Sequence, residues 1–170
     1  MKIKYIVAVL ASFFIFPTLV SANLGQLTLD KLRLDFNVSL GDSACDELWS
    51  FDAGKDVADL REEYPCYNRT GKYTLTLSGP PGTTVTLFGE FNYGKGRGYL
   101  IIKKMDDQPV WILDLEPSQK AKWFQSPAER TSGAYEAYYH PAPIFREHVS
   151  SFKWGKWWTG ESPVGGPANP

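Results

Sequence analysis

The sequence predicts an all-β domain, either a small antiparallel two-sheet sandwich or a Greek-key domain, with one short helix and one disulfide. Several segments alternate apolar and polar residues with the period of two that is typical of strands. Aromatic residues make up 15% of the chain, and 15 glycines and 12 prolines stand against two methionines, a composition that favours a turn-rich β protein. A chain of 170 residues can bury one core but not two comfortable ones.

The first 22 residues have the pattern of a signal peptide. Lys2 and Lys4 precede an apolar stretch over 5–20, and Val20 and Ala22 supply the small residues that signal peptidase requires. A membrane anchor is the alternative, but a membrane-spanning helix needs roughly 20 apolar residues, and the stretch over 5–20 is 16 residues long. We therefore expect cleavage after Ala22, a mature chain without a transmembrane segment, and a secreted or periplasmic location.

The charge of the mature chain narrows the class of partner. Without the first 22 residues, 16 basic and 19 acidic side chains remain, a formal charge of −3. Phosphate binding needs a clustered basic surface, so this balance argues against nucleic acid. It gives no reason, at the level of total charge, to expect an acidic ligand.

Cys45 and Cys66 are the two cysteines of the chain. In an oxidising compartment such a pair predicts a disulfide that closes a loop of about 20 residues and stabilises the fold by roughly 3 kcal/mol. A metal site would need more soft ligands at close spacing, and neither His140 nor His148 is near a cysteine in sequence. We expect no metal there. Glycosylation sequons at Asn37 and at Asn68 matter only in a eukaryotic source.

The first half of the mature chain predicts one strand and one helix. Residues 31–40 alternate without a fault, and Leu27 and Leu29 have the opposite parity, so a bulge or turn near Asp30 should reset the register. Apolar residues within 56–64 recur at helical spacing, which predicts a short surface helix with a solvated acidic face.

The second half predicts two strand pairs and then an irregular region. Segments 73–77 and 85–87 form a hairpin, and 99–102 and 110–113 form a second antiparallel pair. Residues 116–146 carry four prolines and predict a long excursion with one short element. A further strand is predicted to begin at Val149. The single β domain is expected over 23–158, followed by a disordered tail over 159–170.

No catalytic residue is predicted. Residues 89–95 match a phosphate loop up to Lys95, but Gly96 stands where a serine or threonine should hold magnesium, and a strand follows instead of a helix. A serine triad would need His140 or His148, and no nucleophile-elbow sequence surrounds any serine. A glycosidase carboxylate pair cannot be located from sequence, because its separation in space is what matters.

One stretch resembles a known family. Residues 86–99, with Phe88 and Tyr93 as the two aromatics, resemble the folded hairpin of a βγ-crystallin Greek key, although the glycine arrives one residue late at Gly96. Residues 149–154 resemble the segment that leads into the last strand of that motif. The resemblance covers 84–102 and 146–157, and it implies a structural or calcium-stabilised protein. Calcium-binding members carry Asp or Asn where this chain has Arg146 and Glu147, which argues against the ion site.

The most unusual composition lies near the end of the chain. Residues 152–158 contain three of the six tryptophans together with two lysines. If this is a strand, Trp154 and Trp158 share one face and Trp157 takes the other, so we expect an indole to be exposed. The alternative is that the tryptophans close the sandwich over the tyrosines near 135–139. The candidate binding residues are Trp154, Lys156, Trp157, Trp158, Tyr135, Tyr138 and Tyr139.

These features predict an exported, non-catalytic recognition module that binds a glycan or a protein surface through an aromatic and basic patch. Two alternatives come from other classes: a βγ-crystallin-like structural protein that calcium stabilises, and a small secreted hydrolase. No cofactor is expected, and calcium enters only through the crystallin alternative.

Overall fold

The computed structural model describes residues 25–32, 49–65, 67–68, 71–160 and 163. The predicted leader, both cysteines and the alternating residues 33–40 lie outside the described residues, as does the tail apart from 159, 160 and 163.

The fold consists of two antiparallel β-sheets, as the sequence predicts. The first sheet has the strand order β2-β1-β3-β6, and the second has the order β7-β8-β5-β4-β9. The strands of the first sheet are β1 (Gln26–Leu32), β2 (Trp49–Asp52), β3 (Lys72–Ser78) and β6 (Val110–Ile112). The strands of the second sheet are β4 (Thr84–Phe88), β5 (Tyr99–Lys104), β7 (Trp123–Ser126), β8 (Tyr135–His140) and β9 (Ser151–Trp154).

The core lies between the sheets and is filled by the inward residues of each alternating strand. In the first sheet, Leu27 pairs with Phe51 on one side and Leu77 on the other. In the second sheet, Leu87 pairs with Leu100 across β4 and β5. All five side chains are buried, and burial of such a side chain contributes roughly 1.5–3 kcal/mol.

Helix α1 (Leu60–Glu63) is a single turn, so the helix predicted over 56–64 is wrong in its extent. Asp59 caps it by accepting a hydrogen bond from the Arg61 backbone N–H at 2.9 Å. Val57 forms a β-bridge with Phe152 instead, because its apolar side chain packs into the sandwich core. Within the described residues, 3-10 helices span Phe91–Tyr93 and Phe145–Glu147. Among the described residues, no helix is both long and apolar enough to cross a membrane.

Two predicted strand pairings are wrong. β3 and β4 belong to different sheets, and the turn over 79–83 carries the chain from one sheet to the other. In the same way, β5 lies in the second sheet whereas β6 pairs with β3. The apolar pattern identifies these four strands, but a turn that joins two strands of one sheet and a turn that joins two sheets use the same residues.

Two further expectations need correction. The pairing of β1 with β3 runs unbroken from Gln26 to Leu32, so there is no bulge at Asp30. Region 116–146 contains two strands, β7 and β8, instead of one short element. Its prolines all fall outside those strands, where they interrupt no ladder hydrogen bond.

Candidate functional site

The outer face of the second sheet carries a second apolar cluster that is separate from the sandwich core. Five of its side chains are buried and three are partly buried. We call this cluster the outer aromatic layer. Its members are Phe88, Tyr99, Ile101, Tyr138 and Trp158, with Tyr93, Trp123 and Trp157 packed against them.

The chain beyond β9 builds this layer by turning back over the sheet. Gly155 adopts a positive φ of 74°, which glycine tolerates and other residues rarely adopt. Its N–H donates to the Thr84 carbonyl oxygen at 2.9 Å. The alternation predicted through residue 158 therefore ends at Trp154, and Trp157 and Trp158 both lie on the outer face.

Trp157 is fixed to the sheet by a hydrogen bond. Its Nε1–H donates to the Thr86 Oγ1 at 2.7 Å, and its ring lies 5.8 Å from the ring of Phe88. The Lys95 ammonium lies 4.4 Å above the indole centroid. Trp157 is thus a partly buried side chain with a defined orientation.

Trp158 is almost completely buried, with 7% of its surface exposed. Its ring packs 5.6 Å from that of Trp123 and 5.7 Å from that of Trp157. Lys156 is exposed, and its ammonium lies 5.5 Å from the Trp158 ring centroid. That ammonium also donates to the Gly160 carbonyl oxygen at 3.0 Å, which closes the loop over the layer.

The seven candidate residues divide between the two faces of the second sheet. Lys156, Trp157, Trp158 and Tyr138 come together on the outer face. Trp154, Tyr135 and Tyr139 pack against the sandwich core instead. Burial raises the pKa of Tyr139 to about 12, and in the outer layer it raises the pKa of Tyr99 to about 12.

A groove of about 530 Å³ opens beside the outer aromatic layer. Its floor follows from the strand register, because Lys103 of β5 pairs with Glu136 of β8 on one side and with Thr84 of β4 on the other. The Lys103 Nζ lies 3.5 Å from the Glu136 Oε2. The groove is lined by Gly82, Thr84, Lys103, Trp123, Glu136, Lys156, Trp158 and Gly160.

The groove combines apolar indole surface with ionised groups and a hydroxyl. Trp123 and Trp158 supply the apolar part, and Lys103, Glu136 and Thr84 supply the polar part. This combination suits a ligand with one apolar face and several hydroxyl groups, since the face can stack and the hydroxyls can bond.

The described lining of the groove lacks the usual elements of a hydrolase. Among the described residues, no histidine or serine lines the groove, and Glu136 supplies its one carboxylate. His140 lies elsewhere, stacked 5.0 Å from the Tyr99 ring, and His148 is exposed. The described residues include no group of three or more His, Cys, Asp or Glu side chains that could hold a metal ion.

Six groove residues were missing from the sequence-based candidates: Gly82, Thr84, Lys103, Trp123, Glu136 and Gly160. Trp123 and Glu136 fell in the region predicted to be irregular. The sequence pattern could have placed Lys103 and Thr84 on the outward face of their strands. It could not have shown that they lie next to each other and to Glu136, because that depends on which strands pair.

No family model matches the chain, and no curated protein or solved structure matches it either.

The two fragments of the crystallin resemblance do contact each other. The Ser151 hydroxyl donates to the Glu90 carbonyl oxygen at 2.6 Å and accepts from the Tyr93 N–H at 3.1 Å. Ser151 therefore fixes the loop between β4 and β5 to β9. Membership of the family stays a prediction.

Proposed function

We propose that this chain is an exported, non-catalytic domain that binds a glycan in the groove beside the outer aromatic layer. The observation that carries the proposal is the position of the partly buried Trp123, packed against Trp158, beside the Lys103–Glu136 pair. A pyranose ring has an apolar face that can stack on the Trp123 indole, and its hydroxyls can donate to Glu136 and accept from Lys103.

The shape of the site favours a glycan over a protein partner. The groove is concave, and its volume of about 530 Å³ falls within the range of small-ligand sites, about 300–1,000 Å³. Protein interfaces are instead anchored by aromatic side chains that bury fully in the partner's pockets. Trp158 cannot serve as such an anchor, because 7% of its surface is exposed.

Rigidity also supports binding. The Lys103–Glu136 pair joins two adjacent strands, and Trp158 is held between neighbouring rings. Groups that are already ordered lose little conformational entropy when a ligand binds.

Export belongs to the same proposal and has its own test. Extracellular and cell-surface polysaccharides are accessible to a protein that leaves the cytoplasm, as the leader over 1–22 predicts. Mass spectrometry of the protein from its native envelope or medium should give a chain that starts at Asn23. A chain that retains Met1 would contradict export with cleavage.

The binding test is isothermal titration of the mature chain with a panel of purified polysaccharides and their oligomers. We expect one class to bind, with Glu136→Gln reducing affinity by about tenfold through loss of a charge-assisted hydrogen bond. Trp111→Phe is the matched control, because Trp111 is exposed on the first sheet, away from the groove. It should bind as the parent does.

Two results would overturn the proposal. One is binding that Glu136→Gln leaves unchanged, because the ligand would then lie elsewhere. The other is no binding to any polysaccharide, combined with a protein partner whose affinity falls in the same variant. That outcome would assign the groove to protein recognition.

A further inference from the structure

We infer that the groove recognises a vicinal diol, which is a pair of free hydroxyl groups on neighbouring carbons of a sugar ring. This inference rests on the proposed function and specifies its ligand class. The argument comes from the row of residues that contains the Lys103–Glu136 pair and from the hydrogen bonds that this pair leaves open.

The outer face of the second sheet changes from apolar to polar between two adjacent cross-strand rows. The apolar row contains Ile101, Tyr138 and Trp123. The polar row contains Thr84, Lys103, Glu136 and Gln125. Rows two residues apart along a strand are separated by about 7 Å, which is comparable to the width of one sugar ring. A pyranose that stacks on Trp123 can therefore present its hydroxyls to the polar row.

The Lys103–Glu136 pair has hydrogen-bonding capacity that the rest of the chain does not use. The Lys103 side chain is 41% exposed and that of Glu136 is 25% exposed, so a ligand can reach both. An ammonium group has three N–H donors, and a carboxylate has two acceptor oxygens. The described residues give neither group a second partner. Donors on Lys103 and the Oε1 of Glu136 are therefore available to a ligand.

A ligand that bonds both members must accept from Lys103 and donate to Glu136. Two neighbouring hydroxyls meet this requirement, because each hydroxyl can both donate and accept. Their oxygen atoms are about 3 Å apart, roughly one hydrogen-bond length. This separation is close to the 3.5 Å between the Lys103 Nζ and the Glu136 Oε2. The diol can therefore form two nearly parallel hydrogen bonds, one with each member of the pair.

Other polar groups match only one member of the pair. A carboxylate or phosphate that bonded Lys103 would lie beside the Glu136 carboxylate, and a ligand ammonium that bonded Glu136 would lie beside Lys103. Like charges at such distances repel each other. The acetamido group of an amino sugar has both a donor and an acceptor, but in a trans amide its N–H and C=O point in opposite directions.

The remaining polar groups of the groove are compatible with hydroxyl ligands. The Thr84 hydroxyl donates to the Gly82 carbonyl oxygen at 2.9 Å, which leaves its oxygen able to accept from a sugar. Lys156 is the one ammonium in the described lining without a carboxylate partner, and it donates to the Gly160 carbonyl oxygen. Its other donors can bond a sugar hydroxyl, so neither residue requires a charged ligand.

The test compares polysaccharides that have vicinal hydroxyls with one that does not. Linear β-1,4-xylan, β-1,4-galactomannan and α-1,4-amylose have free hydroxyls at carbons 2 and 3 of their main-chain units. The internal units of a long linear β-1,3-glucan have no such pair. Each polymer is titrated into the mature chain by calorimetry. We expect at least one 1,4-linked polymer to bind about tenfold more tightly than the β-1,3-glucan, or better.

Methylation tests the diol within a single polymer. The 1,4-linked polymer that binds is titrated again after methylation of its hydroxyls at carbons 2 and 3. This modification keeps the ring but removes the donors that Glu136 needs. The affinity should fall about tenfold, as expected when a charged group loses its hydrogen bond.

Variants of the ion pair locate the contact. Lys103→Met and Glu136→Gln should each weaken binding of the unmodified polymer about tenfold. They should also reduce the difference in affinity between the unmodified and the methylated polymer, which a purely structural role would leave unchanged. The matched controls are Lys55→Met and Glu63→Gln. Lys55 and Glu63 form another exposed ion pair, 3.1 Å apart, and neither is among the described residues that line the groove. These controls should bind as the parent does, and circular dichroism verifies the folding of every variant.

The outcomes separate the two proposals. Equal affinity for the 1,4-linked polymers, their methylated forms and the β-1,3-glucan would overturn the diol inference and leave glycan binding in place. Binding of a chitin hexamer as tightly as the best 1,4-linked polymer would also overturn the inference, because an acetamido group replaces one hydroxyl of the pair in that ligand. Failure of every polysaccharide to bind would overturn both the inference and the proposed function.

Discussion

Replacement of Trp158 by alanine tests whether the outer aromatic layer is a true second core. Trp158 is 7% exposed and packs against Trp123 and Trp157. A buried tryptophan removes roughly 200 Å² from water, which at about 25 cal/mol per Å² corresponds to an upper estimate of about 5 kcal/mol. Large aromatic-to-alanine changes in cores cost about 3–5 kcal/mol, and we expect Trp158→Ala in that range.

The assay is urea unfolding of the mature chain, followed by far-ultraviolet circular dichroism. The matched control is Trp111→Ala, which removes the same side chain from the first sheet, where 47% of its surface is exposed. We expect this control to cost at most about 1 kcal/mol, as is typical of surface positions. The packing described for the layer would be refuted if both variants lost the same free energy of unfolding, or if Trp158→Ala lost less than about 1 kcal/mol.

Three further predictions concern the hairpin loop, alkaline pH and calcium. Ser151→Ala removes two hydrogen bonds to the loop between β4 and β5 and should lower the free energy of unfolding by about 1–3 kcal/mol, measured by urea unfolding. Burial raises the pKa of Tyr99 and that of Tyr139 to about 12. The stability that these two buried phenols contribute to the folded state is therefore fully present below the ordinary tyrosine pKa of about 10. It is lost as the pH rises toward 12. Urea unfolding between pH 9 and pH 11.5 should show that decline. Calcium at millimolar concentration should leave the melting temperature unchanged in calorimetry. The backbone N–H of Arg146 donates to the Glu116 carboxylate, and the Arg146 guanidinium lies near both Asp114 and Glu116. A protein cation therefore already lies beside those carboxylates.

Each of these has a contradicting result. Wild-type stability in Ser151→Ala would mean that the loop is held by other contacts. A free energy of unfolding that stays constant up to pH 11.5 would show that the two phenols ionise as readily in the folded chain as in the unfolded one. A melting temperature that rises with calcium and falls with a chelator would favour the crystallin-like alternative.

The sequence predicted the fold class because alternation is a local property. The inward residues of β3 are visible as a period of two, whereas β5 is a continuous apolar run that is buried on both faces. The assignment of strands to sheets was not predictable in the same way. It depends on whether a turn such as 79–83 keeps the chain in one sheet, and that choice is set by packing across the whole domain.

The candidate site was predicted in part for the same reason. The unusual composition of 152–158 drew attention to Trp157, Trp158 and Lys156, which the structure places together on one face. Their common position on one face required the turn at Gly155, which ends the alternation. The partners Lys103 and Glu136 are 33 residues apart in sequence and meet only through the pairing of β5 with β8.

The most direct test of glycan binding in the groove is a nuclear magnetic resonance titration that follows the six tryptophan indole N–H signals. We predict that an oligosaccharide of the polysaccharide class that binds shifts the signals of Trp123 and Trp158, which line the groove, and leaves that of Trp111 in place. Shifts at Trp111 alone, or no shift at any indole under saturating oligosaccharide, would contradict the account.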